Sequence, residues 1–394
     1  MTEPGCSEFA ARAAGSLQVA STTVAAGPQV RDSTTKGQNM SETIDIDGAK
    51  VDELVQKAVG DFGAVLVSAL VVVGDRLGLF RAMADGQPVT SQELAARTST
   101  NERNVREWLN ALSAAGYVTY TGDASYRLGA EQALLFTDED SPAFVVGGFQ
   151  VVTSAAKADE KLTAAFRHGN GIGWHEHHHD LFTGTERFFR PGYRANLVNA
   201  WIPALEGVEA RLRAGATVAD VGCGHGASTI IMAEAYPRSS FVGFDYHAPS
   251  IAEAANAATR AGVSDRTRFA VAPAKEFTGT GYDLVCFFDC LHDMGDPVGA
   301  LAHTRAALAP GGTVLLVEPY AGDEVDENLN PIGRVFYAAS SLICTPASQS
   351  QEVGLALGAQ AGPARLIDVA RRAGFSHARV ATTTPFNLVL ELRA

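Results

Sequence analysis

The stretch VADVGCGHGASTIIMAEAYPRSSFVGFD, residues 218–245, leaves this chain few folds to choose from. Val218 to Val221 read as a buried strand, Gly222-Cys223-Gly224-His225-Gly226 as a turn holding three glycines, and the residues after it as a helix. That order aims backbone N–H groups and a helix N-terminus at a ligand beyond the strand's carboxyl end. Asp245 stands nineteen residues after Gly226, at the end of the next strand, where a carboxylate can accept both hydroxyls of a ribose. A glycine loop alone says little. Strand, glycine loop, helix, strand and terminal Asp in register are a specific signal for a nucleoside.

The loop reads D-x-G-x-G-x-G rather than G-x-G-x-x-G, with Asp220 ahead of the glycines. A carboxylate in that place suits a cationic amino-acid ligand better than a pyrophosphate. From Thr217 onward apolar runs alternate with helical ones: TVADVGC, SSFVGFD, TRFAVA, YDLVCFF, GTVLLVE, then ARVATTT and FNLVLEL. This alternation predicts an α/β, Rossmann-like domain with a parallel, doubly wound sheet over 205–394.

The N-terminal half has another grammar. Residues 1–48 are rich in Ala, Ser, Thr and Gly and read as a disordered tail, with Met40 as an alternative start. Residues 49–148 form the next unit: a long apolar helical pattern, then a short helix N-capped by Thr90. A further helix carries Val105, Trp108, Leu109 and Leu112 at core spacing, and two short strands, GYVTY and SYRLG, close the unit. Helices followed by a two-stranded wing make a mostly α winged-helix domain. DNA binding would need a basic face. Between Gly86 and Ala130 four arginines (Arg97, Arg103, Arg106, Arg127) are balanced by Glu93, Glu102, Glu107 and Asp123, so the segment favours a dimerisation module over a nucleic-acid reader.

Composition agrees. The 394-residue chain carries a net charge of −13, against nucleic acid or anionic membrane as partner. Its five cysteines, an odd number without zinc-ribbon spacing, suit a reducing, cytoplasmic compartment. The longest apolar run, FGAVLVSALVVVG, is too short to cross a bilayer and reads as a buried helix or a subunit interface.

Residues 149–204 read as a helical linker, with 141–185 irregular, and contain the provocative GIGWHEHHHDLF. His175-Glu176-His177-His178-His179 satisfies H-E-x-x-H, the zinc-hydrolase pattern. Glycines at 169, 171, 173 and 184 leave the segment barely two helical turns, and no distant third ligand is offered, so no metal is expected. The segment reads instead as a glycine-hinged lid over the ligand, presenting Trp174, His175, His179, Phe182 and Tyr193.

The glycine loop with Asp220 and Asp245 resembles that of class I S-adenosylmethionine-dependent methyltransferases. The resemblance implies that Asp220, Gly222 and Gly224 hold the methionine part of the cofactor and that Asp245 holds the ribose, with Gly226 and Tyr246 also binding the cofactor. It sets Phe288 and Asp289 at the cofactor as well. FAVAPAKEF departs from the family, since Ala272, Pro273 and Ala274 offer adenine only backbone. CFFDCLHDMGDP resembles the L-H-D-W-x-D stretch of small-molecule O-methyltransferases with a winged-helix dimerisation domain, with Met294 in place of tryptophan. His292 then falls on the catalytic base and Glu318 on the residue that orients it. The family's third acidic residue has no match near Gln360. Arg334 and Tyr337 follow the fifth strand of the cofactor domain, where related enzymes wall the substrate. The whole chain is also similar to actinobacterial winged-helix methyltransferase-like proteins, some of them possible regulators. The expectation is a cytoplasmic, homodimeric enzyme methylating a small molecule at oxygen; a metabolite-sensing transcription regulator is the alternative.

Overall fold

The computed structural model describes residues 46–394. The alternative start at Met40, and all but the last three residues of the expected tail, lie outside them. The chain divides after Val67 into two units.

The helix Gly48–Arg76 begins where Asp47 accepts a hydrogen bond from the Ala49 N–H at 3.0 Å. Val59, Phe62 and Leu66, three and four residues apart and therefore on one face, are exposed. The helix has 29 residues and contains an 18-residue window with a mean hydropathy of 1.8, enough by length and composition to span a bilayer, which the shorter apolar run within it is not. An interface helix of a globular protein passes the same test.

The winged-helix region follows. Thr90 caps the helix Ser91–Thr98 in a reciprocal capping box with Glu93. The helix Glu102–Ala114 buries Val105, Trp108, Leu109 and Leu112, and the Trp108 indole donates to the Leu70 carbonyl at 2.9 Å. The strands β1 (Val89–Thr90), β2 (Thr119–Gly122) and β3 (Ser125–Arg127) pair in the order β1-β3-β2. The wing strands are shorter than the sequence suggests, β2 starting only at Thr119 and β3 ending at Arg127, and Asp123 and Ala124 turn between them with positive φ.

The stretch expected to be irregular is not. It contains the helices Val146–Ala155 and Asp159–His168 ahead of Asp180–Asn196. Gly147 breaks the apolar pattern for a packing reason: a Cβ there would lie 2.4 Å from the Phe188 backbone nitrogen, so only glycine lets the two helices approach so closely.

The C-terminal domain is built on β4 (Thr217–Val221), β5 (Ser240–Asp245), β6 (Thr267–Val271), β7 (Tyr282–Phe288), β8 (Leu308–Pro319), β9 (His377–Thr383) and β10 (Asn387–Arg393), in the order β6-β5-β4-β7-β8-β10-β9. The first five are parallel, whereas β10 runs antiparallel between β8 and β9. The all-parallel expectation thus fails at one edge. The connection from β9 to β10 is a tight turn in which the Asn387 N–H donates to Thr384 Oγ1 at 3.0 Å, far too short for a parallel crossover. Alternate residues of the central strands feed two cores. Val218, Leu284, Leu315 and Val389 face one way, and Ala219, Val285, Leu316 and Leu390 the other. Helices on both faces leave the carboxyl ends of β4, β5 and β7 as the open rim.

Candidate active site

The rim begins with Asp220, level with Gly243 and Cys286 on the flanking strands. Its Oδ2 accepts from Ser228 Oγ and Thr229 Oγ1, both at 2.6 Å, while its buried Oδ1 has no partner. Burial raises its pKa to about 6, against the lowering effect of those hydroxyls. Gly222 needs to be glycine twice over: its φ is +76°, and a Cβ would meet Cys290 Sγ at 2.7 Å. The Gly224 N–H donates to Asp245 Oδ2 at 3.0 Å and the His247 N–H to Asp245 Oδ1 at 2.8 Å, which fixes that carboxylate across the turn. Gly226 is not among the residues lining the cavity, and the space of its missing Cβ is taken up by Phe269 and Ala254.

Asp289, just past β7, adopts a positive φ of 50°. Tyr193 Oη donates to its Oδ2 at 2.9 Å and Asn387 Nδ2 to its Oδ1 at 3.0 Å. Burial foremost, with the nearby Glu318, pushes its pKa up to about 8. Two residues after Asp289, the Leu291 N–H donates to Glu318 at 2.9 Å, and the same carboxylate bonds His292 Nδ1. On the other side of the ring, Asp293 Oδ1 lies 3.2 Å from His292 Nε2, without hydrogen-bond alignment, and Cys344 also contacts the pair. Burial lowers the His292 pKa, but Asp293 and Glu318 outweigh it and raise the value well above the usual one. An imidazole held between two carboxylates keeps its proton at neutral pH. His292 is buried and lies behind the cavity wall; Asp293 is the member of the trio that reaches the cavity.

The cavity holds about 430 Å³. Of the cofactor candidates, Gly222, Gly224, Asp245, Tyr246, Phe288 and Asp289 line it, with Asp220 directly beneath the turn. Of the lid candidates, Trp174, His175, Phe182 and Tyr193 line it; the exposed His179 and the helix residues Arg334 and Tyr337 do not. The segment expected to form a lid is tied down on both sides. Trp174–Glu176 is a single 3-10 turn, and the Ile172 N–H donates to the Pro346 carbonyl at 2.9 Å. A Cβ on Gly171 would sit 2.2 Å from that carbonyl oxygen. Phe182 stacks on His247 at 4.3 Å, and His175 packs edge-on to Tyr246 at 6.1 Å.

The histidine motif does not form a zincin helix. His175 and His179 belong to different turns, His177 is buried with neither ring nitrogen bonded, and the long helix starts only at Asp180. His178, His179 and Asp180 do converge at the surface, but Asp180 is already paired with Arg76 at 2.6 Å and Lys157 at 3.0 Å. Two resident cations leave little attraction for a third.

The sequence reading missed several cavity residues. Glu186, Phe189 and Thr185 come from the helix Asp180–Asn196, and Ala347, Ser350 and Gln351 from the segment facing the lid. Asp293 had a signal, being the third letter of Leu291-His292-Asp293. The others carry no chemistry in their spacing.

Residues 65–138 match the family model described as an Rv2258c-like winged HTH domain, and residues 219–314 match that of the methyltransferase domain. The chain carries a winged helix-turn-helix domain and a methyltransferase domain. Similar curated proteins include 27-O-demethylrifamycin SV methyltransferase of Amycolatopsis mediterranei, 33% identical over 33% of this chain and 51% of that protein. Trans-aconitate 2-methyltransferase of Streptomyces avermitilis is 33% identical over 26% of this chain and 39% of its own length. The chain thus spans about half the length of these relatives, or less. Among solved structures, the mitomycin 7-O-methyltransferase MmcR superposes with a TM-score of 0.63 at 21% identity, over 88% of this chain and all of that one (100%). Human N-acetylserotonin methyltransferase in complex with SAM gives 0.64 at 17% identity, over 86% and 97%. At such identities the likeness establishes the fold, a helical N-terminal region followed by a Rossmann-like mixed-sheet domain.

Proposed function

We propose that the chain is an S-adenosylmethionine-dependent methyltransferase acting on a hydroxyl oxygen of a small molecule. The observation that carries this is electrostatic. Asp220, Asp245 and Asp289 are buried or nearly so around a cavity whose walls include no lysine and no arginine. Such a site repels a polyphosphate nucleotide and suits a nucleoside of net positive charge. Asp220 Oδ1, buried without a partner, fits an ammonium group, and Asp245 at the end of β5 fits a ribose. When bound, the cofactor supplies an electrophilic methyl group on a sulfonium.

The protein's own part is positioning and proton handling. Gly222 and Gly224 keep the turn low enough for a ligand to lie against backbone, and Trp174, Phe182 and Tyr246 cover it. Alignment of two reactants is worth roughly 7–11 kcal/mol, more than any single group. The second contribution comes from Asp293, His292 and Glu318. With His292 protonated, Asp293 is the open acceptor for the hydroxyl proton, and His292, held by Glu318, keeps Asp293 in place. General-base assistance of this kind typically contributes about 10²–10⁴-fold.

The exposed apolar face of Val59, Phe62 and Leu66 supports self-association, which with the free cysteines fits a cytoplasmic homodimer. The regulator reading finds no support in the charge pattern: Arg106 is paired with Glu102 at 2.6 Å, and Arg103 with Glu107. Equilibrium binding tests the cofactor assignment. S-adenosylmethionine and S-adenosylhomocysteine should bind, and ATP and NAD should not; the opposite order would sink the proposal.

A further inference from the structure

We propose that the acceptor is an uncharged or cationic molecule with a flat apolar body whose reacting hydroxyl meets Asp293, and that the site rejects acceptors bearing a carboxylate, sulfonate or phosphate. The inference rests on the methyltransferase reading of the same cavity and adds the chemical class of its second ligand.

Three observations point this way. The walls are apolar and aromatic, with Trp174, Phe182, Phe189, Phe288 and Met294 among them. The lining offers four carboxyl groups, Glu186, Asp245, Asp289 and Asp293, and no lysine or arginine. The nearby Lys275 lies outside the lining and is bonded to Asp296 at 3.2 Å and Glu352 at 2.7 Å, and Arg334 is exposed on a helix that does not reach the cavity. An anionic acceptor would therefore shed its water against carboxylates and gain no counter-charge. A hydroxyl, by contrast, finds in Asp293 a carboxylate that lines the cavity and is held from behind by His292.

The reaction itself favours the same class. A lone pair of the acceptor oxygen forms the new C–O bond as the C–S bond breaks. Sulfur keeps that bond's electron pair and becomes a neutral thioether, and the hydroxyl proton passes to the Asp293 carboxylate. One positive and one negative charge thereby vanish from a poorly hydrated cavity. An additional anion on the acceptor would hold the sulfonium in its reactant state and oppose the transfer.

The test uses the full chain saturated with S-adenosylhomocysteine and three matched phenols: 4-methylphenol, 4-(2-aminoethyl)phenol and 4-hydroxybenzoate. Their dissociation constants are read by ligand-observed NMR. The neutral and ammonium phenols should bind at least about tenfold more tightly than the carboxylate. Ser350→Lys, which adds a cation at an exposed rim position, should narrow that gap by strengthening the carboxylate alone. Equal or tighter binding of 4-hydroxybenzoate to the wild-type chain would overturn the proposal, and so would failure of all three to bind. Failure of S-adenosylhomocysteine to bind would instead remove the methyltransferase reading beneath it.

Discussion

If burial raises the carboxyl pKa values of Asp220 and Asp289 and a cationic ligand lowers them again, cofactor affinity must depend on pH with a predictable size. Their pKa values without ligand stand at about 6 and about 8. A bound cation lowers both, so binding expels whatever protons they hold. At pH 7 Asp289 is about nine-tenths protonated and Asp220 about one-tenth, so close to one proton should leave per cofactor bound. From pH 6 to pH 8 the ionised fraction of Asp289 rises about 50-fold and that of Asp220 about twofold, so affinity for S-adenosylmethionine should rise by about 100-fold. Asp289→Asn should remove most of the dependence and leave the twofold step near pH 6. Isothermal titration calorimetry across this range, in two buffers of different ionisation enthalpy, reads both the affinity and the protons. The sign for stability follows separately. A carboxyl whose folded pKa is raised contributes stability below its unfolded value near pH 4 and loses it as pH rises through the folded value. The ligand-free protein should accordingly melt at lower temperature at pH 8 than at pH 5, and the cofactor should flatten that slope. An affinity constant within threefold from pH 6 to 8, with no proton released, would refute the reasoning.

Other perturbations bear on the remaining parts of the site. Asp293→Asn should lower kcat by about 10²-fold or more while leaving cofactor affinity near wild type, and His292→Ala should do the same and shift the pH–rate profile; rates within a few-fold of wild type would remove the acid–base role. Trp174→Ala should weaken both ligands while a metal chelator leaves activity unchanged, and inactivation by the chelator would reinstate a metal at the histidines. Gly171→Ala, which drives a Cβ against the Pro346 carbonyl, should cost about 2 kcal/mol in denaturant unfolding, and a neutral effect would show the lid to be loosely held. Phe62→Asp combined with Leu66→Asp should shift the protein from dimer to monomer in light scattering, and an unchanged mass would place the interface elsewhere.

The cofactor end of this site could be read from residues close in sequence. Asp220, Gly222, Gly224 and Asp245 lie within one strand-loop-helix-strand unit, so local spacing carries their geometry. Thr90 and the core face of Trp108 were legible for the same reason, as capping and helical periodicity are local. The sheet edge was misjudged at a point where the sequence did hold the answer, because Thr384 to Phe386 is too short a link for anything but a hairpin. What could not be read is what depends on distant chain segments meeting. Asn387 reaches Asp289 from the far strand β10, and Ser350 and Gln351 face a lid pinned by Pro346. The charge state of His292 follows from two carboxylates closing on one ring, which the motif Leu291-His292-Asp293 by itself does not reveal. Arg334, chosen for its position after a strand, shows the limit: a helix intervenes and carries it to the surface.

Transfer of an isotopically labelled methyl group tests the central claim most directly. The chain is incubated with methyl-labelled S-adenosylmethionine and neutral hydroxyaromatic acceptors, and acceptor and S-adenosylhomocysteine are followed together by mass spectrometry. Label should appear on the acceptor's oxygen in step with S-adenosylhomocysteine, and Asp293→Asn should slow both equally. Tight cofactor binding with no label on any acceptor would contradict the account and make the chain a binder of the cofactor rather than a catalyst.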